Sequence, residues 1–154
     1  MKIIAFGSNI PFQNLSPIEI IETSYSTLEK YGVQILKKSY IYQSEAYPNK
    51  LDPLFYNSAL CVETRLQPNE LLEIILKIEK MYGRVRNERN SPRTLDIDII
   101  CFDNLILNDN NLIIPHPALH LRPFVILPIR DLDTNWKHPV FLKTIAQIID
   151  KFEP

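Results

Sequence analysis

Glycine occurs three times in this chain of 154 residues, at Gly7, Gly32 and Gly83. That scarcity constrains the fold more than any other feature. A loop that cradles phosphate with its own backbone needs several glycines at fixed spacing, because amides converge on an anion only where no Cβ intervenes. Neither G-x-x-x-x-G-K-[ST] nor G-x-G-x-x-G is present. Any phosphate bound here must be held by side chains or metal ions. Two of the glycines also punctuate helices. "SPIE" at 16–19 predicts a helix start, with Ser16 as N-cap, Pro17 at the first position and Glu19 closing a capping box. Ile18, Ile21, Tyr25 and Leu28 follow at helical spacing, and Gly32 supplies the stop. Pro68 opens a second helix with Leu71, Ile75, Ile78 and Tyr82 on one face, stopped by Gly83.

Apolar or alternating runs predict strands at 2–7, 33–42 and 55–65, and an aspartate-bearing strand that ends at Phe102. Residues 43–54 hold two prolines and read as a long loop. Residues 105–114 read as a hairpin, and 115–123 as a turn or very short helix. Phe141, Ile145, Ile148 and Phe152 form the stripe of a last helix. The order β-α-β-β-α-β predicts an α+β, ferredoxin-like sandwich with an added hairpin and C-terminal helix, in one domain spanning 1–154. Both main helices are expected on one sheet face, leaving the other free for a site.

Bulk properties exclude several classes. Apolar residues are 45% of the chain and charged residues 23%, which is ordinary for a globular protein, and net charge is −1. Such a balance gives no broad attraction to nucleic acid or membrane, so neither partner is expected. Cys61 and Cys101 lie in apolar runs without a CxxC partner and read as buried small hydrophobes in a reducing compartment. No stretch approaches a membrane span, and the short apolar run at the start does not make a signal segment. A cytoplasmic protein follows, and its length suits a monomer.

"PRTLDIDII" at 92–100 carries the chemistry. Asp96 and Asp98 are two apart on an apolar strand, so both carboxylates point the same way. At about 5 Å and an effective dielectric near 20 they repel by roughly 3 kcal/mol. A fold tolerates that if a cation sits between them, a proton is shared, or water bathes both. Oxygen-only ligands suit Mg²⁺, which prefers carboxylate plus substrate phosphate. D-x-D alone equally describes a solvated strand face. Upstream, residues 84–93 (RVRNERNSPR) carry Arg84, Arg86, Arg89 and Arg93 against one glutamate, a net +3. Carboxylates for Mg²⁺ beside guanidiniums for phosphate oxygens are the two halves of a nucleoside triphosphate site.

His116, in "IPHP", suits a phosphate contact, a catalytic acid, or a structural role between prolines. His120 and His138 have no partner pattern and read as surface. No Cys/His cluster points to zinc. Phe55 and Phe124 are either core residues or two rings able to sandwich a flat heterocycle.

Taken together, "RTLDIDII", the upstream "GRVRNER", the N-terminal "FGSN" and "IPHPALHLRPFVILPI" resemble the 6-hydroxymethyl-7,8-dihydropterin pyrophosphokinases of folate biosynthesis. The similarity runs from about residue 2 to about residue 150. It implies a ferredoxin-like α+β fold and an ATP-dependent pyrophosphokinase (diphosphotransferase) that moves pyrophosphate from ATP to the pterin hydroxymethyl group and releases AMP, assisted by two Mg²⁺ ions. By the same resemblance Asp96 and Asp98 would hold both metals. Phe55 and Phe124 would sandwich the pterin, Asn57 would hydrogen-bond its edge, and Ser44 would line the same pocket. Arg84, Arg93, His116 and Arg122 would contact triphosphate oxygens, and Ile99 falls where the family packs adenine. Glu79 matches a family carboxylate whose role stays open.

The chain departs from the family pattern in two segments. Residues 84–93 are one residue short, with Asn90 where an aromatic is common, and Ser44-Glu45 stands where Thr-Pro is common. Both segments are lids in the family, so closure is expected to change. Two rival readings remain: another Mg²⁺-dependent nucleotidyl or phosphoryl transferase, and a nucleotide- or pterin-binding module of the same fold with impaired turnover.

Overall fold

The computed structural model describes residues 1–46, 49–85, 92–118 and 122–150. In chain order the elements are β1 (Lys2–Ser8), α1 (Pro17–Lys30), β2 (Val33–Lys38), β3 (Tyr42–Ser44), β4 (Phe55–Thr64), α2 (Pro68–Met81), β5 (Asp96–Phe102), β6 (Leu107–Asn108), β7 (Ile113–Ile114), α3 (Pro123–Leu132) and α4 (Ile145–Ile149). The main sheet runs β2-β4-β1-β5, with β3 also paired to β4 and every pairing antiparallel. Strands β6 and β7 form a separate hairpin. Among the described residues no helix is long and apolar enough to cross a membrane.

Local chemistry explains the first two helices. Ser16 Oγ accepts from Glu19 N while Glu19 Oε1 accepts from Ser16 N, so the expected box forms. Gln67 N donates to Glu70 in the same manner ahead of α2. Gly32 (φ +88°) and Gly83 (φ +81°) take the left-handed conformation just past the two C-caps, where other residues would be strained. Packing refines one expectation: Ile18 is exposed, and Ile20 joins Ile21, Tyr25 and Leu28 against the core.

The sheet buries both faces. Helices α1 and α2 cover one, where Ile20, Ile21, Leu28, Leu71, Ile75 and Ile78 meet Ile4, Phe6, Leu60, Val62, Ile97 and Ile99. Each such fully buried aliphatic contributes about 1.5–3 kcal/mol. Helices α3 and α4 cover part of the other, where Ile126, Ile129, Ile145, Ile148 and Trp136 meet Ile3, Ala59, Ile100 and Cys101. The expected free face is therefore free only at one end. Helix α3 is the element that hid best in the sequence. Its "PFVILPIRDL" opens with an unbroken apolar run and carries Pro128 inside, which masks the stripe of Ile126, Ile129 and Leu132 that it buries. It forms because it is buried between the sheet and α4.

Other expectations are corrected here. His138 is 2% exposed: its Nδ1 accepts from Val140 N and Phe141 N, and its ring stacks on Phe141 at 4.4 Å. Those two amides stabilise its burial, which no residue pattern announces. Phe141 precedes the Thr144 N-cap of α4 and is 51% exposed, so it does not belong to the helix stripe. Phe152 and His120 lie outside the described residues. Cys101 is buried and Cys61 partly so, and both are free thiols.

Candidate active site

Strand order builds the site. On the face shared with α3, Gly7 of β1 stands between Asn57 of β4 and Asp96 of β5. Ala5 stands likewise between Ala59 and Asp98. Small residues on the central strand thus form a floor between the carboxylates and the asparagine. Gly7 keeps that floor low: a Cβ there would come within 3.1 Å of Asn57 Oδ1 and 3.8 Å of the Phe55 ring. Asn57 Nδ2 donates to Ser44 Oγ at 3.1 Å, joining β4 to β3.

These residues border a cavity of about 510 Å³, lined by Gly7, Ser44, Glu45, Phe55, Asn57, Arg93, Asp96, Asp98, Arg122 and Phe124, among others. Phe55 enters from the start of β4 and Phe124 from the first turn of α3. The proposed pterin residues are therefore gathered in one place.

A second cavity, of about 790 Å³, lies on the α2 side of β5. Asn69, Leu72, Glu73 and Leu76 of α2, Ile97 and Ile99 of β5, residues 109–113 of the hairpin, and His116 line it. Strand alternation puts Ile99 and Asp98 on opposite faces, yet both reach this cavity, because β5 is the edge strand and the cavity wraps its free side. Among the described residues Asp98 alone borders both cavities.

The free edge of β5 is clamped by ions. Glu79, 1% exposed on α2, accepts from Ile97 N at 2.8 Å and from Arg84 Nη1 at 3.2 Å. Arg84 Nη1 also donates to Leu95 O at 2.8 Å and to Asp96 Oδ1 at 2.9 Å. Glu79 and Arg84 thus take the place of a neighbouring strand beside the aspartates. Arg93 Nη1 donates to Asp96 Oδ2 at 3.2 Å, and its guanidinium lies 5.7 Å from the Phe55 ring centroid. Asn9, 2% exposed, ties the two loops that flank the site: Oδ1 accepts from Arg93 N and Nδ2 donates to Pro53 O. Sequence reasoning missed Asn9 and the clamp role of Glu79. The buried-side "FGSN" was the only available signal for the former.

Electrostatics set Asp98 apart. Burial, and then the charges of Asp96 and Glu79, push its carboxyl up to about 7 against the pull of Arg122 and Arg84. Near neutrality both its protonated and ionised forms are populated, so a cation bound there would displace a proton to solvent. His116 is anchored by its backbone N–H to Ile100 O at 2.9 Å, and its Nδ1 accepts from Ala118 N at 3.2 Å. Burial first, then Arg122, lowers its pKa, with Asp96 opposing. The ring is therefore neutral with its proton on Nε2. Among the described residues no group of three or more His, Cys, Asp or Glu gathers as a metal cage. Arg86, Arg89 and Asn90 lie outside the described residues.

Comparison with known proteins bears on this geometry. The family described as "7,8-dihydro-6-hydroxymethylpterin-pyrophosphokinase (HPPK)" matches residues 3–134. Folic acid synthesis protein FOL1 of Dictyostelium discoideum is 42% identical over 88% of this chain, which spans 20% of that protein. The 2-amino-4-hydroxy-6-hydroxymethyldihydropteridine pyrophosphokinase of Haemophilus influenzae is 33% identical over 97% of this chain and 91% of its own length. In fold, the chain is similar to Plasmodium falciparum HPPK-DHPS wild type, at a TM-score of 0.78 and 17% identity, over 98% of this chain and 44% of that one. The chain thus spans about a fifth of FOL1, and less than half of the HPPK-DHPS structure. The match to the family runs through the floor of the cavities, the aspartate strand and the whole of α3, and this chain belongs to the HPPK family.

Proposed function

We propose that this protein transfers pyrophosphate from ATP to the hydroxymethyl group of 6-hydroxymethyl-7,8-dihydropterin, releasing AMP, within folate biosynthesis. The observation that carries the reading is the position of Asp98 between two cavities of different chemistry. One offers two phenylalanines and an amide for a flat, polar-edged heterocycle. The other offers an apolar floor at Ile99 and Leu112 for adenine, with His116 at its edge. A group passing from the nucleotide to the pterin must cross the carboxylates that separate them.

Asp96 and Asp98 suit Mg²⁺: they are hard oxygen donors on one strand face, and at Asp98 burial and the neighbouring carboxylates outweigh Arg122 and Arg84. Two ions bound there would screen the triphosphate and the charge that develops on it. The chain's own residues do the rest. Arg93 already holds Asp96 and lines the pterin cavity, and Arg122 adds a second guanidinium there at the start of α3; Arg84, expected from the sequence at the triphosphate, borders neither cavity and instead holds Asp96 from the β5 edge. His116 Nε2–H is a neutral donor for a phosphate oxygen. Phe55, Phe124, Asn57 and Ser44 align the pterin. The acceptor is a primary alcohol, so alignment and charge stabilisation carry the rate and no dedicated strong base is needed.

The strand order β2-β4-β1-β5 supports a ferredoxin-like core, the near-neutral charge supports a protein that binds neither nucleic acid nor membrane, the two free thiols fit a cytoplasmic compartment, and the length suits a monomer. Mixing the protein with ATP, Mg²⁺ and the pterin, and following nucleotide products, tests the reading. Pterin-dependent AMP supports it. ADP, or cleavage without pterin, points to another transferase, and binding without turnover to a binding module.

A further inference from the structure

We infer that Tyr42 and Asp131 form a tether that positions Phe124 over the 510 Å³ cavity, making both residues positioning residues for the heterocycle. The inference rests on the pterin reading of that cavity. Tyr42 OH donates to Asp131 Oδ1 at 2.8 Å and Oδ2 at 2.7 Å, and Tyr40 N donates to Oδ2 at 3.0 Å. One carboxylate near the end of α3 thereby fastens the helix to the β2–β3 edge. Burial, then Asp131, holds the Tyr42 phenol protonated, so it is the donor.

The two ends of this tether lead to opposite walls of the cavity. Tyr42 sits opposite Asn57 in the β3–β4 register, two residues before Ser44 on the same strand face. Asp131 is seven residues beyond Phe124, two turns along α3 and nearly in line with it. Between them stands Pro128, which has no N–H to give the Phe124 carbonyl. The first turn of α3 therefore lacks one bond that would hold it to the rest of the helix. Fixing the far end of the helix against β3 limits how Phe124 can move relative to Asn57 and Phe55. Neither Tyr42 nor Asp131 borders either cavity, so neither touches a ligand there.

Three variants test this: Tyr42→Phe, Asp131→Ala and Asp131→Asn, the last keeping an acceptor for the phenol. Titration calorimetry measures 6-hydroxymethyl-dihydropterin and Mg²⁺–ATP separately, and AMP formation gives KM and kcat. Tyr42→Phe and Asp131→Ala are expected to weaken pterin binding by roughly tenfold, about what partial loss of one ring–aromatic stack would give. Asp131→Asn should restore most of that loss. ATP affinity should stay within about twofold, and kcat at saturating pterin should fall less than KM rises. Unchanged pterin affinity in both disruptive variants, with only a lower melting temperature, overturns the tether. So does an equal fall in ATP affinity. If the unaltered protein binds no pterin, either alone or with Mg²⁺ and a non-hydrolysable ATP analogue, the function proposed above fails and takes this inference with it. If it binds pterin and the variants match it, only the tether fails.

Discussion

Replacing Asp98 by asparagine should stabilise the protein in the absence of metal and ligand, while nearly abolishing turnover. The carboxyl titrates near 3.8 when free and is pushed up to about 7 in the folded chain. Between those values the folded state holds a proton that the unfolded state has lost, so stability falls as pH rises. The contribution is fully present below the unfolded pKa and gone once pH passes the folded one. Three units at about 1.4 kcal/mol each set a ceiling of about 4 kcal/mol. Water reaches the group through both cavities, and Asp96 and Glu79 share the repulsion, so the expected gain is about 1–3 kcal/mol at pH 8. Asparagine keeps the shape and removes the charge. Urea unfolding with a chelator present, at pH 5, 6, 7 and 8, measures the difference. The variant should be the more stable at pH 8, and the gap should close toward pH 5. Adding Mg²⁺ with ATP should reverse the order, because only the carboxylate gains from metal bound to the folded state. A variant less stable than the parent at pH 8, or a gap that does not change with pH, would refute the argument that this carboxylate is held under strain for a cation.

Three further outcomes follow from the same geometry. Glu79→Ala leaves the buried Ile97 N without an acceptor and removes one of the two carboxylates that neutralise Arg84, and should cost about 3 kcal/mol in urea unfolding; Glu79→Gln, which can still accept from Ile97, should cost less. His116 is expected to stay neutral at pH 7, so His116→Gln should keep turnover within about tenfold, whereas His116→Ala should lose more; a pH–rate profile unchanged in shape by either variant would agree with a donor that does not titrate near neutrality. Phe55→Ala and Phe124→Ala should each weaken pterin binding by about 1–3 kcal/mol, on the scale of base–aromatic stacking, with ATP binding little changed in calorimetry.

What the residues announced in advance is what short-range physics decides. Ser16, Pro17 and Glu19, and later Pro68 and Gly83, fix helix ends through contacts within one turn, so the starts of α1 and α2 and the glycines that stop them were legible. The two-residue spacing of Asp96 and Asp98 likewise determined that they share a face. Helix α3 was not legible, because an apolar segment with an internal proline becomes helical only when a sheet and a second helix bury it. Nor was the burial of His138, which depends on two amides presented by the turn after it. Above all, no local pattern says that β5 is an edge strand. The order β2-β4-β1-β5 leaves one side of it unpaired, recruits Glu79 and Arg84 to that side, and lets two cavities meet at Asp98. Spacing along the chain selected the reactive side chains. Pairing between distant strands, which neighbouring residues do not encode, decided which of them stand together.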